Sequence, residues 1–458
     1  MEQRFMQTYA PMPISYPSHE LEPNYPGIYF NSRDKMLEID MYIEQFRVHP
    51  PYKGLAEYLH HYYPKALLRI SLWDWRRDEV RQDPIQLDPK IVQDLRKNFM
   101  LLCQHISKWC EVRFDLPFLA AVSYQSPNDT SGIGLPKSLR KLEVREMSSV
   151  NAQLVNSLHS FLDQLWRDMD FMPYPNLRIM ETAEPEFDTR MFPGLRYRKL
   201  SELCLDTICS AAQVVDLLSL CPTLRKAVFN ELVGPKPRGH TTPITCTYLR
   251  HLTLENDNIS FDQGENNPYI GMIWEVLRKI NAPALNELSL GYEDIWSTSV
   301  FDRFIGNSKC GLEKLRLVGI KMSDKDLYRA LAKNQHLREL TVQGQSAHGE
   351  YYDLMFPMDL LERMTHNGDW NCLCPHLQRL EVAYPSIQRS DSFRRMLQCR
   401  SPLRLRFINL ISTRDIDPAD FQALEELAKK GLSVYFDGSP AQFPVRRFQS
   451  NWSHYMPR

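Results

Sequence analysis

The sequence predicts an α/β fold in which short parallel strands alternate with helices in a stacked, elongated array. Three observations predict it. An aliphatic hexamer recurs along most of the chain, the residues inside each hexamer alternate polar with apolar, and the segments between hexamers carry apolar stripes at helical spacing. A chain of 458 residues is also too long for one compact core, which favours an array or several domains.

The hexamer is Leu-x-x-Leu-x-Leu/Val. It appears at Leu139-Leu142-Val144, Leu200-Leu203-Leu205, Leu249-Leu252-Leu254 and Leu285-Leu288-Leu290, then at Leu312-Leu315-Leu317, Leu337-Leu340-Val342 and Leu377-Leu380-Val382. A degenerate copy lies at Leu224-Ala227-Phe229. From Leu200 onward successive starts are 24, 25, 36, 27, 25 and 40 residues apart. The shorter spacings match the leucine-rich repeat, whose units run about 20–29 residues, and the two longer ones carry insertions. The expected architecture is therefore a leucine-rich-repeat solenoid, with a parallel sheet on the concave face and helices on the convex face.

Third-position residues are Lys141, Glu202, His251, Glu287, Lys314, Glu339 and Arg379; fifth-position residues are Glu143, Cys204, Thr253, Ser289, Arg316, Thr341 and Glu381. All but Cys204 are polar or charged. A parallel sheet covered on both faces reads as continuous aliphatic sequence, so this pattern predicts one hydrated face. One hexamer buries three aliphatic side chains worth roughly 1.5–3 kcal/mol each. Ordering a unit costs more, at about 1–2 kcal/mol per residue for the backbone alone. Each unit needs its neighbours.

Helices are expected between the hexamers. Leu154, Leu158, Phe161, Leu162 and Leu165 form a stripe within 152–170, and Ile270, Ile273, Leu277 and Ile280 form another that Pro283 stops. Ser323 is an N-cap for the helix carrying Leu327, Ala330 and Leu331. Asp417 and Pro418 open a helix that Gly431 closes, and Leu432–Phe436 reads as a last strand.

The organisation read along the chain is a Pro/Tyr-rich irregular arm at 1–35, a degenerate capping region at 36–136, the repeat solenoid at 137–438 and a tail at 439–458. Within the capping region, 37–43 and 66–73 read as strands, 52–62 as a helix, 91–109 as a long helix, 112–114 as a strand and 121–136 as a loop.

Three segments resemble a large fungal family of F-box-like leucine-rich-repeat proteins. They are Gly54–Leu72 with Pro64 before Ala66-Leu-Leu-Arg-Ile-Ser-Leu72, His105–Pro117 with its His-Ile-Ser-Lys-Trp start, and Leu373-Cys-Pro-His-Leu-Gln-Arg-Leu-Glu-Val382, echoed at Leu220-Cys-Pro-Thr-Leu224. The resemblance implies a substrate receptor of an SCF-type ubiquitin ligase, contacting the ligase adaptor through an F-box. Residues 1–36 contain neither the Leu-Pro-x-Glu opening of that module nor enough apolar residues for its three helices.

Composition narrows the remaining classes. Fifty-five basic against 56 acidic side chains give a formal charge of −1, which argues against a general nucleic-acid surface. No run of about 18 apolar residues marks a membrane helix, and no signal peptide is read at the start, so an intracellular location is the expectation. The ten cysteines are scattered without a CxxC pair and read as buried small hydrophobes. His60-His61, the Cys372-Cys374-His376 group and the Cys103-His105-Cys110 group have the residue types of metal ligands but lack a four-ligand spacing, and packing or surface roles are expected for them. Gly132-Ile-Gly134 lacks a third glycine, and no GxSxG elbow is present. The expectation is a non-catalytic module without cofactor or metal that binds a protein partner through Glu287, Lys314, Arg316, Glu339, Thr341, Arg379 and Glu381. A repeat-based enzyme or GTPase activator is the third alternative.

Overall fold

The structure, a computed structural model, describes residues 25–26, 28–44, 47–72, 89–115, 138–145, 179–182, 200–233, 243–256, 271–292, 296–343, 358–365, 372–383, 390–400, 404–411, 417–436 and 439–440. It is a mixed α/β fold built on a parallel sheet. Strand β1 (Ile28–Asn31) pairs antiparallel with β2 (Met36–Glu44), which also pairs antiparallel with the short β3 (Arg47–His49). From β2 onward the strands pair in parallel and in chain order. They run through β4 (Leu67–Leu72), β5 (Trp109–Asp115), β6 (Lys141–Arg145), β7 (Ile179–Thr182), β8 (Glu202–Ser210) and β9 (Lys226–Val233). A two-stranded parallel pair, β10 (Ile244–Thr245) with β12 (Ile280–Asn281), stands apart. The main ladder continues through β11 (His251–Glu255), β13 (Glu287–Gly291), β14 (Lys314–Val318), β15 (Glu339–Gln343), β16 (Arg379–Ala383), β17 (Phe407–Ile411) and β18 (Ser433–Phe436). Strand β19 (Ser439–Pro440) then folds back antiparallel onto β18.

The register carries the hexamer pattern straight across the sheet. Leu252, Leu288, Leu315, Leu340, Leu380, Ile408 and Val434 stand side by side, as do Leu254, Leu290, Leu317, Val342, Val382 and Leu410. Both rows belong to one continuous apolar core. Alternation puts the intervening polar residues on the other face.

Two backbone motifs recur along the ladder and extend the unit beyond the hexamer, the first at five units but not at Leu312. Three residues before the first leucine sits a small buried residue whose carbonyl accepts that leucine's N–H: Cys221 for Leu224, Cys246 for Leu249, Ala282 for Leu285, Asn334 for Leu337 and Cys374 for Leu377. One carbonyl per unit then accepts two N–H groups from the next. Ser201 O takes Arg225 and Lys226, Arg225 O takes Arg250 and His251, and Arg250 O takes Asn286 and Glu287. The same handover runs through Asn286, Glu313, Arg338 and Gln378 as far as Phe407. From β8 to β17 each strand on the main ladder therefore starts level with its neighbour, and the backbone groups at these strand starts are satisfied.

The helices are α1 (Tyr52–Glu57), which widens into a π turn over Tyr58–Tyr62, α2 (Pro89–Gln104), α3 (Ala211–Leu220), α4 (Met272–Arg278), α5 (Thr298–Ser308), α6 (Asp324–Lys333), α7 (Met358–Met364), α8 (Ser390–Arg400) and α9 (Pro418–Lys429). Their apolar stripes, such as Leu327, Ala330 and Leu331 of α6 and Phe393, Met396 and Leu397 of α8, join the same core. Ser323 caps α6 in a reciprocal box with Asp326, and Asp417 caps α9 through Ala419 N–H with Pro418 in the first turn. A third cap, Ser210 paired with Gln213 on α3, carries the Ser-x-x-Gln signature but was not picked out in the sequence.

Four boundaries differ from expectation. The helix read to 109 ends at Gln104, and after a 3-10 turn Trp109 begins β5 instead; its indole Nε1 donates to Leu102 O at 3.0 Å, so the ring is buried without an orphaned donor. The helix read up to Pro283 ends at Arg278, because Ile280 is drawn into β12 opposite Ile244. Residues 28–31 of the arm form β1 and place Ile28 in the core. Strand β18 starts at Ser433, one residue later than read. The expected helix at 152–170 and loop at 121–136 lie outside the described residues, as do Trp73 and Ile270.

Candidate functional site

Alternation in the strands places two rows on the sheet face opposite the apolar core, exposed at their charged residues and buried at Thr253, Ser289 and Asn409. The first runs His251, Glu287, Lys314, Glu339, Arg379 and Phe407; the second runs Thr253, Ser289, Arg316, Thr341, Glu381, Asn409 and Tyr435. All seven residues expected to bind a partner fall in these rows, on four consecutive strands. Lys314, Arg316 and Arg379 keep 43%, 40% and 45% of their side-chain surface, so among the described residues no second layer covers them.

The rows also neutralise themselves, which alternation alone does not show. Glu287 Oε2 lies 2.7 Å from His251 Nδ1, and its Oε1 lies 3.2 Å from Lys314 Nζ. Lys314 continues to Glu339 at 3.5 Å. Burial opposes the charge on Glu287, but the hydrogen bonds from His251 and Lys314 outweigh it and hold the carboxyl below its ordinary range. Burial likewise opposes the charge on Lys314, and its two carboxylate neighbours outweigh it and hold the ammonium above the usual lysine value.

In the second row Arg316 reaches over β13 to Glu255 of β11 and donates also to Ser289 Oγ at 3.1 Å. Ser289 Oγ donates to Glu255 Oε1 at 2.8 Å. Glu381 accepts from Gln343 Nε2 at 3.2 Å and pairs with Arg379 at 3.6 Å. The Arg379 guanidinium lies 3.9 Å from the centre of the Phe407 ring, which packs 4.7 Å from Tyr435. Thr341 stands in register between Arg316 and Glu381. The pattern recurs near the start of the ladder, where Arg69 bridges Glu38 at 2.6 Å and Glu111 at 2.8 Å.

Sequence reasoning missed Glu255, Phe407 and Tyr435. Glu255 sits just after its hexamer, where its signal was an acidic residue next to Leu254. Phe407 and Tyr435 lie in strands without the leucine pattern.

The cysteines of the cysteine and histidine groups are buried, whereas His60 and His61 are exposed. Burial pushes the thiols of Cys103, Cys246 and Cys374 up to about 12, and that of Cys221 up as well, so they stay protonated at neutral pH. Cys374 lies in a repeat turn with its Sγ toward Leu331 O, whereas His376 meets Arg404. His60 packs 5.0 Å from His105. Among the described residues no group of three or more His, Cys, Asp or Glu side chains could hold a metal ion, and no helix is long and apolar enough to cross a membrane.

The site is thus a field of paired charges with donors and acceptors of both signs. Such a surface can read the charge pattern of an apposed chain. No known family model matches this chain, and no curated protein matches it in sequence.

Proposed function

We propose that this chain is a leucine-rich-repeat solenoid that recognises a protein partner on the polar face of its sheet, without catalysis. The supporting observation is the unbroken register from β11 to β17, which holds Glu287, Lys314, Arg316, Glu339, Thr341, Arg379 and Glu381 on one exposed face. The ion pairs among them preorganise long side chains that would otherwise lose rotamer freedom on binding. A partner with complementary charges exchanges one set of pairs for another, and this exchange sets specificity more than affinity.

The test is affinity capture with the Lys314→Glu, Arg316→Glu double variant, with circular dichroism as the control for folding. Capture of the wild-type partner should fall sharply while the helical signal shows the variant still folded, its melting temperature lowered because Glu255 loses Arg316. Undiminished capture by a folded variant removes these residues from the recognition surface.

A second reading, as a substrate receptor of an SCF-type ubiquitin ligase, is favoured by β4 and β5. Both fall within segments that resemble the fungal F-box-like family, and both join the main ladder in parallel. Co-purification of the full chain with the ligase adaptor supports that reading; no association at micromolar concentrations rejects it.

A further inference from the structure

A second charged surface lies along the edge where the strands begin, away from the two polar rows. His336 and His376 precede the first leucines of adjacent units, and their rings stack at 6.4 Å with only 9° between planes. Arg404, at the same level in the following unit, meets His376 Nδ1. One residue past each first leucine come Arg338, Gln378 and Arg406, linked by the backbone handover from Arg338 O to Gln378 and from Gln378 O to Arg406. Arg338 and Arg406 are exposed, and Arg404 and His376 are half-exposed.

The balance of charge here differs from that of the sheet face. Arg338 has one carboxylate nearby, Glu313 at 3.9 Å, and still keeps 55% of its side-chain surface. Arg404 and Arg406 meet no carboxylate among the described residues. Burial, and then the neighbouring Arg404, His336 and Arg338, hold the His376 imidazole below its ordinary value, as expected where cations outnumber anions. In a chain whose formal charge is −1, three guanidiniums and two imidazoles over three adjacent strands are a local excess.

We propose that His336, Arg338, His376, Arg404 and Arg406 form a docking site for a phosphorylated segment of the protein partner. The inference rests on the protein-binding reading and gives that partner a chemistry. Three strands span about 10 Å, the scale of one phosphoryl group with its flanking residues. A phosphoryl group brings about −1.5 to −2 charges and three acceptor oxygens, which suits several guanidinium forks better than one carboxylate does. A nucleic acid would need a longer cationic track than this patch supplies.

The experiment uses the full chain and a fluorescent peptide library with one fixed phosphothreonine among degenerate positions. Its two comparison probes are the same library with threonine and a 12-nucleotide poly(U) strand. Binding should favour the phosphorylated library by at least about tenfold, and Arg338→Glu with Arg406→Glu should abolish that preference. Lys321→Glu with Lys325→Glu, the same charge change on the neighbouring loop and helix, should leave it intact.

Equal binding of the two libraries, no binding of either, tighter binding of poly(U), or a preference that survives in R338E/R406E each overturns the proposal. A partner that K314E/R316E fails to capture but R338E/R406E retains after phosphatase treatment upholds the sheet-face reading alone. The two failures are thereby distinguished.

Discussion

Gly291 stands directly opposite Glu255 on the neighbouring strand, and the absence of a side chain there lets the carboxylate lie along the sheet toward Ser289 and Arg316. A Cβ built on Gly291 would fall 2.9 Å from Glu255 Cγ and 3.2 Å from its Cδ. Alanine at this position should therefore cost roughly 1–2 kcal/mol through displacement of Glu255. In a Glu255→Ala background the same change should be neutral or slightly stabilising, since alanine is the better strand residue. Urea denaturation of the four proteins gives the cycle, and equal costs in both backgrounds would show that Gly291 serves something other than Glu255.

Arg400 is a second position where one side chain completes several backbone groups. It is buried, and its guanidinium donates to Met364 O at the end of α7 and to Leu373 O and Cys374 O in the following turn. Arg400→Met keeps the packing volume but orphans three buried carbonyls, so a loss of about 3–5 kcal/mol is expected. Arg400→Lys should recover only part of it, because an ammonium cannot match the planar fork. A lysine variant as stable as wild type would contradict this account.

Stability should also respond to His105. Burial, with Lys108 and His60 nearby, lowers its imidazole from 6.5 to about 4 in the folded chain. The unfolded chain therefore takes up a proton between pH 6.5 and 4 that the folded chain does not, and stability falls as pH drops through that window. His105→Gln should flatten this part of the profile and leave stability above pH 7 little changed. Chemical denaturation at half-unit steps from pH 7.5 to 4 measures it, and identical slopes for the two proteins would refute the assignment.

At the other end of the ladder, a Cβ on Gly54 would meet the Tyr25 ring at 2.6 Å. Tyr25 OH donates to Glu57 Oε2 at 3.1 Å, so this ring fastens the start of the described chain to α1. Gly54→Ala should release it. Limited proteolysis would then cut near residue 25 several-fold faster, while the melting temperature shifts by no more than a few degrees.

Strand positions were legible because the leucine spacing and the polar alternation point to the same element, and the register preserves both across the sheet. The boundaries that moved did so for tertiary reasons. Trp109 continues the helical stripe of Leu95, Phe99, Leu102 and Ile106 in sequence, yet its ring is satisfied only by turning away to begin a strand. Ile280 fits a helix equally well until Ile244 offers it a pairing partner. Each charged residue inside a hexamer was readable, but its neighbour was not, and Glu255, one place beyond its hexamer, was missed. That Glu287 would sit between His251 and Lys314 depends on two strands aligning without offset, and single hexamers carry no information about offset. The cationic edge was harder still, because its residues occupy the variable second and preceding positions.

The doubled acceptance at each sheet-edge carbonyl has a further consequence for how such a chain can change. Units beginning at Leu249 and Leu285, or at Leu337 and Leu377, are joined by unusually long connections, yet their strands align as closely as those with short ones. Alignment is fixed at one end of each strand, so the joints beyond the other end are free to lengthen. New loops can be added there without shifting any residue of the rows that face solvent.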